Sequence, residues 1–496
     1  MSVLRKFAGQ TLIYGLSTIV ARLINSLFTP IFVSQFSTAV YGVYTLLYSW
    51  AAMIQAVLAF GMETTFFRFL QKHDDKARVL NNTFFVILII SICFLSAVFS
   101  WSTNIATWLN NGLYDRDYVL YVRLFALFLV ADALAVVPFA QLRAQGRPIR
   151  FGVLKFMNVC MLLSTNLFLL FGIPWLLVHV PAVSPYFGWY RPGWLGYVFI
   201  ANLAASVLVL LLLLPELMQV RLRPNRALLL EMLAYSFPIL IANISYIINE
   251  HLDKLVIPKL IPGEQGISDN GIYGAVSKLA IFLSIAIQAF RLGAEPFFFS
   301  YAKNENARKV YAIIMDYFII ATVLAMVAIS ANIEWLKYFI KGKDAEQQAL
   351  YWSGLHIVPI LLLGYVLLGI YMNLSVWYKL TDQTRFGLYI SGVGAIVTIL
   401  LDFILIPRYS YQGAVWVTVI AYGIMVFLSY VWGQRRYPIP YRLSKNLLYI
   451  FSGVALCLLI FNVFDRHLII SNLLFMAFAA ITFFRERKEL ASLLKK

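Results

Sequence analysis

The chain has 496 residues, of which 61% are apolar and only 13% are charged, and its mean hydropathy is +0.79. Soluble proteins average about 45–50% apolar and about 25% charged residues, so the composition excludes a soluble enzyme and a disordered chain and predicts a polytopic membrane protein. The net charge of +17 does not indicate a nucleic-acid partner, because the basic residues lie mostly in short loops between long apolar runs.

Runs of about 20 apolar residues, the length that crosses a bilayer as a helix, recur along the whole chain. Lipid offers backbone amides no other partner, so each run must be helical. If the N-terminus lies in the cytoplasm, the tails and loops on that side of the membrane contain about three times as many Lys and Arg residues as the loops on the other side. This excess predicts that both termini are cytoplasmic. We predict about fourteen transmembrane helices, at 11–33, 41–62, 82–102, 118–140, 151–173, 195–217, 228–250, 271–295, 310–331, 350–372, 384–406, 412–433, 446–464 and 467–484.

The first span carries a polar stripe around Arg22. An arginine near the bilayer centre costs at least about 2.5–3.5 kcal/mol, so this face must contact protein or water. Two interpretations stay open: Arg22 lines an aqueous cavity, or it pairs with a buried carboxylate such as Asp132 of the fourth span. The stripe recurs at helical spacing and contains Thr11, Tyr14, Thr18, Arg22, Asn25 and Thr29.

Two acids inside or beside apolar spans are candidates for coupling to a proton or sodium gradient, because burial favours the protonated form of a carboxylate. They are Asp132 and, at the outer end of the seventh span, Asp253. The alternative for each is a structural ion pair. A second, rougher polar stripe on the seventh span contains Ser236, Asn243, Tyr246, Glu250 and Asp253.

The eighth span contains two cations, Lys278 and Arg291, which are thirteen residues and therefore about 140° apart on a helix. Lys278 is either a cavity cation or a side chain that extends to the outer interface. Arg291 precedes Glu295 by four residues, so a pair within the helix is its default. Glu295 and Glu63 occupy the inner ends of the eighth and second spans, where they anchor loops or form an inner gate.

Cysteines and histidines give no sign of a metal or disulfide site. Cys93, Cys160 and Cys457 lie singly inside apolar runs, and the five histidines are scattered. Neither a disulfide framework nor a zinc-type spacing is present, so we expect no metal and no cofactor.

The chain repeats itself. Residues 41–67 match 273–299 at an offset of 232, aligning Tyr41 with Tyr273 and Glu63 with Glu295, and RFG at 150–152 matches RFG at 385–387. The period is an even number of spans, so the repeat is parallel, an arrangement that places substrate between two rocking halves.

We predict a cytoplasmic tail (1–10), an N-lobe (11–217), a C-lobe (228–433), a terminal pair of helices (446–484) and a basic cytoplasmic tail (485–496).

Three segments, DKLVIP at 253–258, GIYGAVSKLA at 271–280 and LDFILIPRYSYQGAVW at 401–416, resemble the Wzx-type oligosaccharide and polysaccharide flippases of the multidrug/oligosaccharidyl-lipid/polysaccharide exporter superfamily. The resemblance implies a two-lobed transporter that moves a polyprenyl-diphosphate-linked oligosaccharide from the inner to the outer leaflet of the bacterial cytoplasmic membrane, for lipopolysaccharide or another surface polymer. It also implies a lipid-tail groove at the terminal pair, and a glycan polymerase or glycosyltransferase as a partner.

In the related lipid II flippases, cations on the first and eighth spans line the cavity, and Arg22, Lys278 and Arg291 are the corresponding candidates. The second span lacks a cation, so this cavity is expected to be less positive than that of the lipid II flippases. Asp402 stands where the family more often has Asn, which leaves its role open.

A multidrug exporter coupled to sodium or protons is the alternative function, although such an exporter is expected to have an acidic cavity. A membrane-embedded glycan polymerase or acyltransferase would require a large outer loop or a His/Asp/Arg cluster, and the sequence shows neither.

Overall fold

The computed structural model describes residues 26–381 and 383–494, with side chains at all of these except 292, 293, 295, 296, 300 and 490–494, and this part of the chain contains helices and no β-strand. Shorter helical pieces, such as the π-helical turn Phe168–Gly172, join the longer ones. Helices of eight or more residues are α1 (Thr38–Ala59), α2 (Met62–Lys72), α3 (Lys76–Ser100), α4 (Ser102–Leu109), α5 (Arg116–Ala144), α6 (Pro148–Leu167), α7 (Gly196–Leu212), α8 (Arg226–Leu260), α9 (Gly263–Tyr301), α10 (Ala307–Ala331), α11 (Ala345–Ser353), α12 (Val358–Leu374), α13 (Arg385–Arg436), α14 (Leu443–Asn462) and α15 (Leu468–Leu494).

The helices follow the predicted spans closely. Within the described residues, eleven helical stretches are long and apolar enough to cross a membrane. The predicted sixth span is the shorter α7, and the eleventh and twelfth both lie in α13, which is interrupted at Ser410 (φ 51°). Only the end of the first predicted span is described, and residues 26–35 are helical there. The protein is therefore an all-α, multi-pass membrane protein.

Local sequence explains where several helices begin. The turn between α1 and α2 needs Gly61, whose φ is 65° and where a Cβ would lie 3.0 Å from Ile239. The Asp75 side chain accepts a hydrogen bond from the backbone of Arg78 and caps α3. Pro148 begins α6, where its missing N–H leaves no donor unsatisfied.

Contacts divide the chain into two compact units. Among the described residues, the first contains 26–28 and Val43–Leu255, and the second contains Thr29–Gly42 and the residues from Val256 to Leu494. The division into lobes at 11–217 and 228–433 with a terminal pair at 446–484 remains a prediction from the repeat.

The core of the first unit lies where α5, α6 and α7 pack together. Phe139 and Phe151 meet edge to face there, with ring centroids 5.3 Å apart, and Leu142 and Leu213 are fully buried beside them. Burying each large apolar side chain contributes about 1.5–3 kcal/mol relative to water. These three helices therefore form a fixed frame for the polar groups described below.

In the second unit, the start of α1 crosses α9 at two glycines. A Cβ on Gly42 would lie 1.9 Å from the carbonyl oxygen of Ile267, and one on Gly271 would lie 1.9 Å from that of Thr38. The Asn270 side chain donates a hydrogen bond to the Gly42 carbonyl at 3.2 Å. Only glycine permits this backbone approach, so the crossing fixes the segment Thr29–Gly42 within the second unit.

An ion network joins the terminal helices to α10. Asp316 of α10 is fully buried and pairs with Arg442, which precedes α14 and also contacts Glu489 of α15 at 2.8 Å. Lys445 of α14 pairs with Glu486 of α15 at 2.5 Å. The hydrogen bond to Glu489, followed by that to Asp316, raises the pKa of Arg442 above its ordinary value. Arg442 therefore keeps its positive charge at neutral pH.

The opposite ends of these helices are joined by a reciprocal amide pair. Asn332, which follows α10, donates to Asn472 of α15 at 3.1 Å and accepts from it at 3.2 Å. Between the two ends, Cys457 of α14 contacts the Ser330 hydroxyl of α10 at 3.4 Å. The terminal helices are thus connected to α10 at both ends.

Candidate functional site

The candidate site lies in the first unit, where polar side chains from α1, α5 and α7 meet within otherwise apolar helices. Asp132, near the middle of α5, is exposed, and its carboxylate accepts a hydrogen bond from the Ser206 hydroxyl of α7 at 2.7 Å. One turn away on α7, Asn202 donates to the Tyr48 hydroxyl of α1 at 2.5 Å. No cation forms an ion pair with Asp132 within the described part of the chain, so this carboxylate is held by a neutral hydroxyl.

Lys155 lies two turns into α6 and is half-buried beside this group. Its ammonium nitrogen is 4.2 Å from the ring centroid of Phe139 and 6.0 Å from that of Phe151. Asp132 and Glu63 interact with it electrostatically, but none of the described carboxylates forms an ion pair with it. Lys155 is therefore an ammonium group with aromatic neighbours and no direct counterion among these residues.

Glu63 is engaged at the inner end of the same unit. Its carboxylate lies 2.5 Å from a guanidinium nitrogen of Arg143, so the pair joins the start of α2 to the end of α5. The Arg143 guanidinium also lies 5.1 Å from the centroid of the Phe67 ring. This contact fits the anchoring interpretation of Glu63. The equivalent Glu295 lies in α9, and its side chain is outside the described part.

The polar stripe predicted on the seventh span lies along α8. Asn243 and Tyr246 are exposed, Glu250 is half-buried, and Asp253 is buried. The Asp253 carboxylate lies 3.4 Å from the ammonium of Lys254, which also donates to the Glu250 carbonyl at 3.2 Å. Asp253 therefore fits the structural alternative, an ion pair, and Asp132 is the stronger coupling candidate.

The two predicted cations of the eighth span lie on α9 in the second unit. Lys278 is half-buried. Arg291 is exposed and lines a small cavity with Asn373 of α12 and Lys379. Thirteen residues of continuous helix separate Lys278 from Arg291 by about 20 Å, so the structure does not bring them into one site.

The remaining predicted cavity residues, Arg22, Thr18 and Asn25, lie outside the described residues. The role of Arg22 in a cavity therefore stays a prediction.

Lys155 was not among the site residues predicted from the sequence, because a lysine near the start of an apolar run is ordinarily counted with the adjoining inner loop. The available signal was its place inside the run 151–173, four residues after Phe151 and so on the same helical face. Ser206 and Asn202, neutral polar residues in the apolar run 195–217, were not predicted either. Their importance depends on what α7 packs against, which one helix does not reveal.

The chemistry available to this site is ionic. Asp132 can bind a proton or a small cation, and Lys155 can bind an anion. Among the described residues, no group of three or more His, Cys, Asp or Glu side chains could hold a metal ion.

Two family models match the chain. The model described as "Polysaccharide biosynthesis protein" matches residues 7–301, and the model described as "MatE" matches residues 238–404. No curated protein sequence matches the chain significantly.

Several solved transporters share the fold. The lipid II flippase MurJ in its inward closed conformation superposes with a TM-score of 0.68 at 13% identity, covering 95% of this chain and 99% of that chain. An inward-facing multidrug resistance MATE family transporter gives 0.61 at 14% identity, covering 84% and 94%. The MATE multidrug transporter DinF-BH gives 0.59 at 16% identity, covering 88% and 97%.

The first family model spans more than half of the chain and includes the whole first-unit site. The chain therefore belongs to the polysaccharide biosynthesis protein family, and it shares its fold with solved transporters of the MOP superfamily.

Proposed function

We propose that the protein is a flippase for a polyprenyl-diphosphate-linked oligosaccharide, which it moves from the inner to the outer leaflet of the bacterial cytoplasmic membrane by alternating access. The observation that carries this proposal is the match of residues 7–301 to the polysaccharide biosynthesis family. The fold that the chain shares with a lipid II flippase supports it.

In this proposal the headgroup diphosphate meets cations, and the lipid tail stays in the bilayer near α14 and α15. Arg22 is the main candidate, because a guanidinium binds phosphate oxygens in a bidentate manner. Lys278 and Arg291 are further candidates, and because they lie about 20 Å apart on α9 the proposal assigns them to different stages of transport. Asp132 is the group through which a proton or sodium gradient drives turnover.

The proposed orientation places both termini in the cytoplasm, as the distribution of Lys and Arg predicts. The delivered glycan then requires an enzyme that extends or attaches it, so a glycan polymerase or glycosyltransferase is the proposed partner. Such an enzyme acts on the outer side, where the product leaves the transporter.

Leaflet transfer in liposomes tests the proposal. Purified protein is reconstituted with a polyprenyl-diphosphate oligosaccharide, and externally accessible sugar is measured with and without an ion gradient. We expect protein-dependent transfer, its loss in Arg22→Ala, and no effect of Lys303→Ala, a matched change of an exposed loop cation. Normal transfer by Arg22→Ala in correctly inserted protein would exclude the role of Arg22, and no transfer by the wild type would exclude the flippase.

A second candidate function, cation-coupled multidrug export, is favoured by the MatE match over residues 238–404. The exposed Asp132 carboxylate would then attract a cationic drug. The same liposomes distinguish the two functions when they are loaded with a cationic rhodamine dye. Gradient-driven efflux of the dye without transfer of the glycolipid would establish the exporter.

A further inference from the structure

Lys155 is a charged side chain within a membrane span, and the proposed function gives it no role. An ammonium group in a membrane span costs free energy unless it is paired or reaches water. The described residues provide it with no ion pair, and its direct contact is the face of the Phe139 ring at 4.2 Å. A cation–π contact does not neutralise the ammonium charge, so this charge stays available to an anion.

The neighbouring charges do not remove this capacity. Arg143 is engaged by Glu63 at 2.5 Å, and Asp132 is held by Ser206 at 2.7 Å. The Arg143 guanidinium carbon and the Lys155 nitrogen lie 5.8 and 6.0 Å from the same Phe151 centroid. Both cations therefore lie near one ring, and of these two only Arg143 has a direct counterion among the described residues.

We propose that Lys155 is an anion-binding residue that takes a phosphate oxygen of the transported diphosphate, and that Asp132 is its competitor within the protein. This inference rests on the proposed flippase function and adds a site in the first unit. A lysine ammonium is a compact point charge that binds phosphate without a fixed orientation, which suits a headgroup that must later leave.

The competition links the anion to the charge of Asp132. When Asp132 is negative it attracts Lys155 and repels the incoming phosphate, and when it is neutral both effects vanish. By linkage, a neutral Asp132 strengthens anion binding by the same factor by which the anion favours a neutral Asp132. The other charged or titratable groups that face this pair are Tyr48 from α1, Glu63 from α2 and Arg143 from α5.

Direct binding of inorganic pyrophosphate tests the inference. The full chain is placed in phosphatidylcholine nanodiscs, and the Kd is measured by calorimetry. Lys155→Met should weaken binding by about tenfold or more, since it removes a hydrogen bond between charged groups, and Lys155→Arg should retain binding. Asp132→Asn should tighten binding about fivefold or more. Lys303→Met, the matched exposed lysine, should leave the Kd unchanged.

A phospholipid headgroup carries the same phosphate chemistry, so a second arm uses nanodiscs that contain phosphatidylglycerol. An unchanged pyrophosphate Kd in these discs supports the transported diphosphate as the ligand. Loss of pyrophosphate binding there would assign the site to membrane lipid and overturn the inference.

Other outcomes are equally decisive. An unchanged Kd in Lys155→Met, or weaker binding in Asp132→Asn, would overturn the inference even if leaflet transfer is normal. Absence of transfer by the wild type, with pyrophosphate binding still dependent on Lys155, would contradict the flippase alone. If Lys155→Met does not fold, the gain in Asp132→Asn against the unchanged Lys303→Met still decides the question.

Discussion

Ser206 on α7 donates a hydrogen bond to the Asp132 carboxylate on α5 across 2.7 Å. A hydroxyl can also accept a hydrogen bond, so this contact survives when the carboxyl group becomes protonated. An ion pair at the same place would be lost on protonation and would force the helices to rearrange. The pair therefore allows Asp132 to change charge while α5 and α7 stay packed.

Asp132→Asn should abolish the response of leaflet transfer to an ion gradient. The amide has the shape of the neutral acid and keeps the contact with Ser206. It cannot exchange a proton, and it binds a cation more weakly than the carboxylate does. We expect transfer down a substrate gradient to persist, while acceleration by an imposed pH or sodium gradient disappears. Glu305→Gln, a change of an exposed loop acid, is the control. Full gradient dependence in Asp132→Asn would remove this residue from the coupling mechanism.

The pair formed by Glu63 and Arg143 should act as an anchor. Both side chains are partly exposed, at 48% and 27%, so their coupling energy should be only about 0.2–1 kcal/mol. We expect Glu63→Gln, Arg143→Gln and the double variant to give that value in a thermal unfolding cycle, with leaflet transfer within about twofold of wild type. Transfer lost in both single variants and restored by exchanging the two charges would establish a gate instead.

Arg442→Met should strongly destabilise the second unit, because it leaves the fully buried Asp316 without its guanidinium partner. Breaking a buried ion pair from one side costs about 3–5 kcal/mol. We expect a clear fall in the unfolding temperature in detergent, and recovery of most of it when Asp316→Leu is added. Arg408→Met, on an exposed position of α13, should change little. An Arg442→Met protein as stable as wild type would show that the network does not hold the terminal helices.

Gly271→Ala should disrupt the crossing between α1 and α9. The added Cβ would lie 1.9 Å from the Thr38 carbonyl oxygen, so a backbone must move, whereas Gly423→Ala on α13 meets nothing within 4 Å. Overpacking of this kind costs about 1–3 kcal/mol or more. Size-exclusion profiles should therefore show aggregation or low yield for Gly271→Ala and a normal peak for Gly423→Ala. Equal profiles would mean that the crossing is not tight.

Hydropathy predicted the helices well, because a membrane span must satisfy its backbone internally and is long and apolar for that reason. Hydropathy could not predict which side chains meet. Asp132 was visible as an acid in an apolar run, but Ser206, 74 residues away, was not visible as its partner. Arg442 and Asp316 are 126 residues apart, and neither was singled out from the sequence.

Ion pairs between residues that are adjacent in the sequence are easier to predict. Lys254 follows Asp253 directly, and their ion pair was among the alternatives that the sequence allowed. Lys155 was harder because its meaning depends on the rings of Phe139 and Phe151 around it and on the absence of a direct carboxylate partner among the described residues. Such an environment is created by packing, and one sequence does not specify it.

The glycine crossing also sets an order of events during biosynthesis. Gly42 contacts Asn270, which is encoded 228 residues later, so the early segment leaves the ribosome long before its partner has been made. At about 5–20 residues per second this delay lasts about 10–45 s. Throughout that interval the glycine face of α1 lacks its native neighbour, and the crossing forms only after α9 has been synthesised.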